Sequence, residues 1–336
     1  MQPILTKLLN REDLGREEMT AVMTDLMEGR ATPAQTAAFL VAMRMKGETV
    51  AELAAAAQVM RRHAVFIHTG GAGAVVDTCG TGGDGLSTFN ISTAAAFVAA
   101  GAGVCVAKHG NRAVSSRCGS ADVLAELGLN LEAPAAAIEQ CIQEHGIGFL
   151  FAQKMHPAMK HVAPIRKELG VRTIFNMLGP LANPAGATGQ VLGVFKAELT
   201  ETFARVLRDL GTRRALVVHG LDGLDEITIT DRTRVCELRN GELRTYELDA
   251  ALIFGDYCNP AELAGGDAAT NARILRAVLD GSEQGAPRQV TLLNAAAAIV
   301  VGEKADRIED ALRLAEQSIA SGAALGKLQT LIAATQ

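Results

Sequence analysis

The sequence predicts an α/β protein: a small all-helical N-terminal domain over residues 1–66, then a large α/β domain over 72–336 with a mostly parallel central sheet flanked by helices. Three observations lead there. Apolar positions recur at helical spacing through the first 66 residues. From about residue 72 short branched apolar runs alternate with helical stretches, the mark of an α/β domain. Within that region residues 74–128 read as one βαβ unit, and both of its turns are rich in groups that hold anions.

The helical domain carries start signals and no chemistry. Met19, Val22, Met23 and Leu26 share one helical face, and Gly29 follows. Thr32 caps the next helix, with Pro33 at its first position and Gln35 closing a capping box. Thr49 and Glu52 repeat that device for a helix starting near Val50.

The βαβ unit opens on Val75 and Val76, a strand buried on both faces because its apolar residues do not alternate with polar ones. It runs into the loop Gly80-Thr81-Gly82-Gly83-Asp84-Gly85. Glycine lets the backbone approach a ligand closely and lets successive N–H groups point into one concavity, which suits phosphate. Asn90, Ile91, Ser92 and Thr93 then begin an alanine-rich helix over 93–100 that Gly101 ends. An Asn or Ser there can cap the free N–H groups, and the helix dipole favours an anion. The second strand, 104–107, leads into Lys108-His109-Gly110-Asn111-Arg112-Ala113-Val114-Ser115-Ser116-Arg117. Lysine acts on phosphate as a point charge, and hydroxyls and amides complete the coordination. A helix over 122–127 follows, with Ser120 as its N-cap and Gly128 as its terminator.

The spacing Gly80-x-Gly82-x-x-Gly85 also fits a dinucleotide fingerprint. In that fold the helix opens at the last glycine and an acid ends the second strand. Here LSTFNIS intervenes and the second strand ends in Lys108. A glycine-rich turn without a ligand has the same local spacing.

Further strands are expected at 148–151, 190–195, 215–219 and 226–230, and a buried helix over 290–301. The chain has 336 residues, 49% of them apolar, enough for one large core. It has no apolar run of spanning length, and its first residues, MQPILTKLLNREDL, lack the apolar centre of a signal peptide, so a cytoplasmic protein off the membrane is expected. A net charge of −5 argues against a general nucleic-acid surface. Cys79, Cys105, Cys118, Cys141, Cys236 and Cys258 form no CxxC pair and no metal spacing, which suits small buried residues in a reducing compartment. His156 and His161 lack a carboxylate motif between them and read as structural or solvent-facing. His109 is the histidine expected near substrate, as acid, base or scaffold.

The strings DTCGTGGDG, FNIST, KHGNRAVSSRCGSADVLAELG and RTIFNMLGPLANP together resemble the anthranilate phosphoribosyltransferase family, tryptophan-biosynthesis enzymes that join anthranilate to 5-phosphoribosyl 1-pyrophosphate. The likeness runs through almost the whole chain. It implies a magnesium-dependent pentosyltransferase with two Mg2+ ions per subunit, a homodimer formed through the helical domain, and completion of that domain by helices from about 164–186. Gly80, Asn111 and Arg166 match the family's anthranilate contacts, with the planar fork of Arg166 on the carboxylate. Gly80, Gly83, Asp84, Thr88, Asn90, Ile91, Ser92, Thr93, Lys108, His109, Gly110, Asn111, Arg112, Ala113, Val114, Ser115, Ser116 and Ser120 match its contacts to 5-phosphoribosyl 1-pyrophosphate. Ser92, Asp225 and Glu226 match its metal ligands, and Lys108, Asn111 and Arg166 its catalytic set. Read locally, Arg166 is one cation of a solvated helix face and Asp225-Glu226 are acids of a solvated turn.

The implied chemistry is displacement of pyrophosphate from the anomeric carbon by the anthranilate amine, with Lys108 and magnesium neutralising the leaving group. Three other readings compete. A pyrimidine nucleoside phosphorylase would share the architecture and a glycine loop but use inorganic phosphate, whereas the Asp225-Glu226 pair and KHGNRAVSS favour pyrophosphate. A non-catalytic nucleic-acid-binding relative would have lost one of the motifs and gained a basic face. A nicotinamide dehydrogenase fails on Lys108.

Overall fold

The N-terminal residues form four helices, α1 (Gln2–Leu9), α2 (Arg16–Met27), α3 (Pro33–Lys46) and α4 (Val50–Arg62), in a computed structural model that describes residues 1–71, 73–113 and 117–336. Both expected capping boxes are present. The Thr32 hydroxyl accepts from the Gln35 N–H at 3.3 Å while the Thr32 N–H donates to Gln35 Oε1 at 3.0 Å. Thr49 and Glu52 do the same at 3.3 and 2.8 Å. Glu52 is fully buried and also accepts from the Leu14 N–H at 2.8 Å and from Lys46 Nζ at 2.9 Å, so one carboxylate ties α4 to α3 and to the loop between α1 and α2.

The sheet begins after this layer: β1 (Val75–Gly80), α5 (Ile91–Gly101), β2 (Cys105–Gly110), α6 (Ser120–Glu126), α7 (Ala135–His145), β3 (Ile147–Phe151), α8 (Ala152–Met155), α9 (Ala163–Leu169), α10 (Phe175–Leu178), β4 (Gly189–Gly193), α11 (Leu199–Asp209), β5 (Arg214–Gly220), β6 (Arg232–Arg239) and β7 (Glu242–Asp249). Helices α12 (Ala251–Phe254), α13 (Ala268–Leu279), α14 (Ala286–Val301), α15 (Ile308–Ala320) and α16 (Ala323–Ala334) close the chain. The seven strands lie in the order β3-β2-β1-β4-β5-β6-β7. The first five run parallel, and the last two pairings, β5 with β6 and β6 with β7, are antiparallel. The order therefore reverses between β1 and β4, and in open α/β sheets a ligand crevice opens beyond the carboxyl ends of the strands at that switch point.

Alternate side chains of the strands feed two cores. Val76, Val106, Val191, Leu216 and Val218 join α5, α14 and the C-terminal helices. Leu192, Ala215 and Val217 join α11 and the N-terminal helices, together with Val162, Ile174, Phe175, Leu178 and Leu181. In that second layer α9 packs on α3, and α10 packs on α4. Helix α14 carries the expected apolar stretch and is buried along nearly its whole length. No helix among the described residues is long and apolar enough to cross a membrane.

Four local expectations need correction. Residues 226–230 form no strand, because the Asp222 carboxylate accepts from the Thr228 and Thr230 hydroxyls and Asn294 pairs with the backbone of Ile227. Strands β6 and β7 stand in addition to the expected ones, joined through Asn240-Gly241, which at φ 53° and 85° is a type I′ hairpin signal. Gly119, and not Ser120, is the N-cap of α6, since Asp122 turns back to accept the Gly119 N–H at 3.0 Å. Asn90 stands at the start of α5 without capping it, because its side chain is engaged elsewhere.

Candidate active site

The switch-point crevice is built from backbone outward. Gly80 ends β1 and Gly193 ends β4, and a Cβ on either would fall onto Asp225, on its carboxylate from Gly80 and on its carbonyl from Gly193. Glycine at these strand ends is what lets the 221–230 segment cross the sheet edge. Asp225 then accepts the Gly82 N–H at 2.7 Å, which fixes the glycine-rich loop to the acidic segment. Next to it Glu226 accepts the Ser92 N–H at 3.2 Å, at the N-terminus of α5.

Lys108, on β2, reaches the same place from inside. Its ammonium is buried and donates to the Thr78 carbonyl and to Ser92 Oγ, the latter at 3.3 Å. Asp77, fully buried, accepts the His109 N–H at 3.0 Å and Asn183 Nδ2 at 2.8 Å. Burial lowers the Lys108 pKa, while Asp77, Cys79 and Glu226 hold it up. Burial, the Glu226 charge and the Asp84 charge push Asp225 well above the usual carboxylate range. Burial likewise pushes Glu226 up to about 7, against the pull of Lys108. Asp84 is raised mainly by burial. The crevice thus holds one buried cation and an excess of desolvated acid, an arrangement that a divalent cation would relieve.

The basic loop after β2 is pinned by Asp122, which accepts from the Ala113 N–H at 2.8 Å and from Arg112 at 3.0 Å. Asn90 Nδ2 donates to the Cys118 carbonyl at 3.1 Å, and Asn271 Nδ2 donates to Asn90 Oδ1 at 3.0 Å. Asn90 therefore ties the start of α5 to the exit of the basic loop.

His109 lies against His156 with ring centroids 5.1 Å apart, and both are buried. His109 Nδ1 bonds the Gly179 carbonyl at 3.2 Å and so carries a proton, while the Nε2 atoms of both rings have no partner among the described residues. Burial and its neighbour push His109 down to about 3, and burial pushes His156 down to about 4. Both imidazoles are neutral at pH 7. Below pH 6.5 the unfolded chain binds protons at these positions that the folded chain refuses, so their contribution to stability is complete above 6.5 and falls as pH falls toward 4. Each costs about 1.4 kcal/mol per pH unit in that window. Replacing His156 with Phe is expected to flatten the fall of Tm between pH 6.5 and 4.5, and parallel curves for parent and variant would refute a neutral buried His156.

Two matches to the glycosyl transferase family divide the chain between them, its helical bundle domain over residues 2–64 and its a/b domain over 72–325. Anthranilate phosphoribosyltransferase of Anaeromyxobacter dehalogenans (strain 2CP-C) is 57% identical over 335 residues, covering 100% of this chain and 98% of that protein. The chain belongs to the anthranilate phosphoribosyltransferase family. The namesake from Syntrophobacter fumaroxidans is 56% identical over 99% of this chain and 98% of its own length. Among solved structures, the anthranilate phosphoribosyltransferase of Thermus thermophilus matches with a TM-score of 0.93 and 43% identity, covering 99% of each chain. That of Saccharomyces cerevisiae, in complex with PRPP and Mg, matches at 0.89 and 29%, over 99% of this chain and 97% of that one.

Of the positions that match the anthranilate phosphoribosyltransferase pattern, the fold gathers Gly80, Gly83, Asp84, Asn90, Ile91, Ser92, Thr93, Lys108, Asp225 and Glu226 about the ends of β1, β2 and β4. Thr88 pairs with Ala264 beside them. His109 and Gly110 end β2, Asn111, Arg112 and Ala113 begin the basic loop, and Ser120, first residue of α6, donates to the Asn111 carbonyl at 3.3 Å. Val114, Ser115 and Ser116 lie outside the described residues. Arg166 stands apart on α9, its guanidinium 5.4 Å from the centre of the Phe175 ring, and among the described residues it has no acidic partner. Phe175 begins α10, and the residue after that helix, Gly179, is the one that bonds His109.

Four contributors were not singled out by the sequence. Asp77 and Asn183 orient the base of β2, and Asn271 braces Asn90. Arg172 stacks 3.7 Å over the Phe195 ring with its guanidinium at the Gly82 and Gly83 carbonyls. Only Asp77 had a sequence signal, a lone acid within a buried strand.

Proposed function

We infer that the chain transfers the phosphoribosyl group of 5-phosphoribosyl 1-pyrophosphate to the amine of anthranilate, giving N-(5-phosphoribosyl)anthranilate and pyrophosphate, the second step of tryptophan biosynthesis from chorismate. The observation that carries this reading is the meeting of the buried Lys108 ammonium, the α5 N-terminus and the Asp225–Glu226 acids at one switch point. The Lys108 ammonium and the positive end of the α5 dipole suit phosphate oxygens, and the acids suit a cation.

Magnesium fits the donors present. Among the described residues no cluster of three or more His, Cys, Asp or Glu side chains forms a self-sufficient metal cage. Magnesium commonly takes one or two carboxylates and completes its shell with substrate phosphates and water. Ser92, Asp225 and Glu226 would hold it, as two ions per subunit, and the bound metal would neutralise charge on the departing pyrophosphate. The chain's own residues do the rest. The glycine loop and the basic loop grip the phosphates, with Gly80, Gly83, Asp84, Thr88, Asn90, Ile91, Thr93 and the 108–116 stretch as contacts. Lys108 opposes the charge that grows on the leaving oxygen. The amine nitrogen forms its bond to the anomeric carbon as the carbon–oxygen bond to pyrophosphate breaks, and the nitrogen then sheds a proton. His109 and His156, pushed down to about 3 and about 4, are too weak as bases to take that proton, which passes to water. Positioning therefore supplies much of the rate.

Arg166, with Asn111 and Gly80, takes the anthranilate. A guanidinium stacked on Phe175 and free of acidic partners among the described residues is prepared for a planar carboxylate. Arg166→Ala is expected to raise the KM for anthranilate about 10- to 100-fold, the worth of a charged hydrogen-bonded pair, with the KM for the sugar substrate little changed. An unchanged anthranilate KM removes Arg166 from the site.

The subunits pair through the helical layer. Leu9 on α1 is 78% exposed and Met45 on α3 is 73% exposed, which is apolar surface that a second copy would cover. That layer comprises residues 1–66 and the helices at about 164–186, with the α/β unit from 72 onward. The scatter of six cysteines without a CxxC pair accords with a cytoplasmic setting. The deciding assay follows anthranilate fluorescence with 5-phosphoribosyl 1-pyrophosphate, with and without magnesium. Signal loss that needs both is the expected result, and no turnover by folded protein overturns the reading.

A further inference from the structure

The 221–230 segment must present two acids at the sheet edge without being a strand, so its backbone needs partners from elsewhere. On one side Asp222 supplies them. Its carboxylate accepts the Leu224 N–H at 3.1 Å and the Thr228 hydroxyl at 2.6 Å, as well as the Thr230 hydroxyl. On the other side the partner is Asn294, 67 residues away on α14. Asn294 Oδ1 accepts the Ile227 N–H at 3.0 Å, and Asn294 Nδ2 donates to the Ile227 carbonyl at 2.8 Å and to the Val290 carbonyl of its own helix at 2.9 Å. One side chain thus pairs both backbone groups of the residue after Glu226, as a neighbouring strand would. Asn294 is 2% exposed and Ile227 fully buried, so no water can substitute.

We propose that Asn294 is a positioning residue for the cation-binding acids: by holding Ile227 to the buried helix α14, with Asp222 closing the loop from the other side, it fixes where the Glu226 and Asp225 carboxylates point. The proposal rests on the magnesium reading above. Its consequence is a binding penalty felt at the metal and not at the aromatic substrate. Partners behind a metal's direct ligands commonly carry a 10- to 100-fold effect on affinity. A merely structural asparagine would lower Tm and leave metal affinity alone.

The test uses Mn2+ as the probe, titrated by electron paramagnetic resonance in the presence of pyrophosphate, on the parent and three variants. Asn294→Ala is expected to raise the Mn2+ dissociation constant about tenfold or more, to raise the magnesium concentration needed for half-maximal turnover in parallel, and to leave the KM for anthranilate within about twofold. Thr291→Val is the control, since Thr291 is equally buried on α14 but its hydroxyl serves only the Pro287 carbonyl, at 2.7 Å. It should lower Tm without moving the Mn2+ constant. Asp222→Asn tests the other clamp and is expected to weaken Mn2+ binding in the same direction, which keeps the test decisive if Asn294→Ala does not fold. An Asn294→Ala protein with parental Mn2+ affinity overturns the proposal, as does parental affinity in Asp222→Asn when Asn294→Ala is unfolded. A parent protein that binds no Mn2+ with pyrophosphate overturns the magnesium reading itself, and the proposal with it.

Discussion

Replacing Asp225 with Asn and Glu226 with Gln together is expected to lower turnover about 1,000-fold while raising the thermal stability of the metal-free protein. The two effects share one cause. Both acids are desolvated, each is pushed above its usual range, and Asp225 is raised further by Glu226 and Asp84. In the absence of a cation the folded chain bears the cost of like charges held close together. The amides keep the acceptors that the Gly82 and Ser92 N–H groups use, so the backbone loses nothing. What they lose is charge, and on the function proposed above the means to hold magnesium against pyrophosphate. Losing several kcal/mol of such stabilisation, at about 1.4 kcal/mol per factor of ten, gives the stated fall in rate. Steady-state kinetics at saturating magnesium and a melting curve in chelator measure both halves. Near-parental turnover would sink the metal assignment, and a lower Tm would show that these acids stabilise the fold instead of straining it.

The sequence exposed those acids but not the groups that surround them. Their local setting, Gly220-Leu221-Asp222-Gly223-Leu224-Asp225-Glu226, is that of a solvated turn, and only the resemblance pointed to metal. The Ser92 N–H that Glu226 accepts lies 134 residues away, and Gly82 lies 143 from Asp225. Periodicity and capping rules act within a few residues, which is why they placed the Thr32 and Thr49 capping boxes and the βαβ order correctly. The same range explains the misses. Thr228 and Thr230 look like strand residues until the Asp222 carboxylate takes their hydroxyls. Among Arg166, Lys167 and Arg172, no local pattern says that Arg172 lies on Phe195 at the glycine loop. Asn240-Gly241 is the exception, a hairpin signal legible within two residues.

Lys108→Met is expected to cost about 100- to 1,000-fold in kcat/KM for the sugar substrate, the scale of losing one preorganised charged donor. Methionine matches the unbranched stem, so packing between β1 and α5 is kept while the cation is removed. The ammonium is fixed on the Thr78 carbonyl and Ser92 Oγ, beside the N–H that Glu226 engages. On the function proposed above it would face the pyrophosphate and would not need to reorganise as charge develops there. Asp77 could make this variant fail for a trivial reason, because removing one member of a buried pair strands the other. Asp77, however, also accepts from the His109 N–H and from Asn183, which leaves it hydrogen-bonded when Lys108 is gone. Folding is thus expected to survive at reduced Tm, and kinetics to be measurable. Arginine should not rescue, since a planar fork does not fit a slot shaped by one carbonyl and one hydroxyl. A Lys108→Met protein whose kcat/KM for the sugar substrate stays within about threefold of the parent would leave the α5 N-terminus and the metal to carry the pyrophosphate alone.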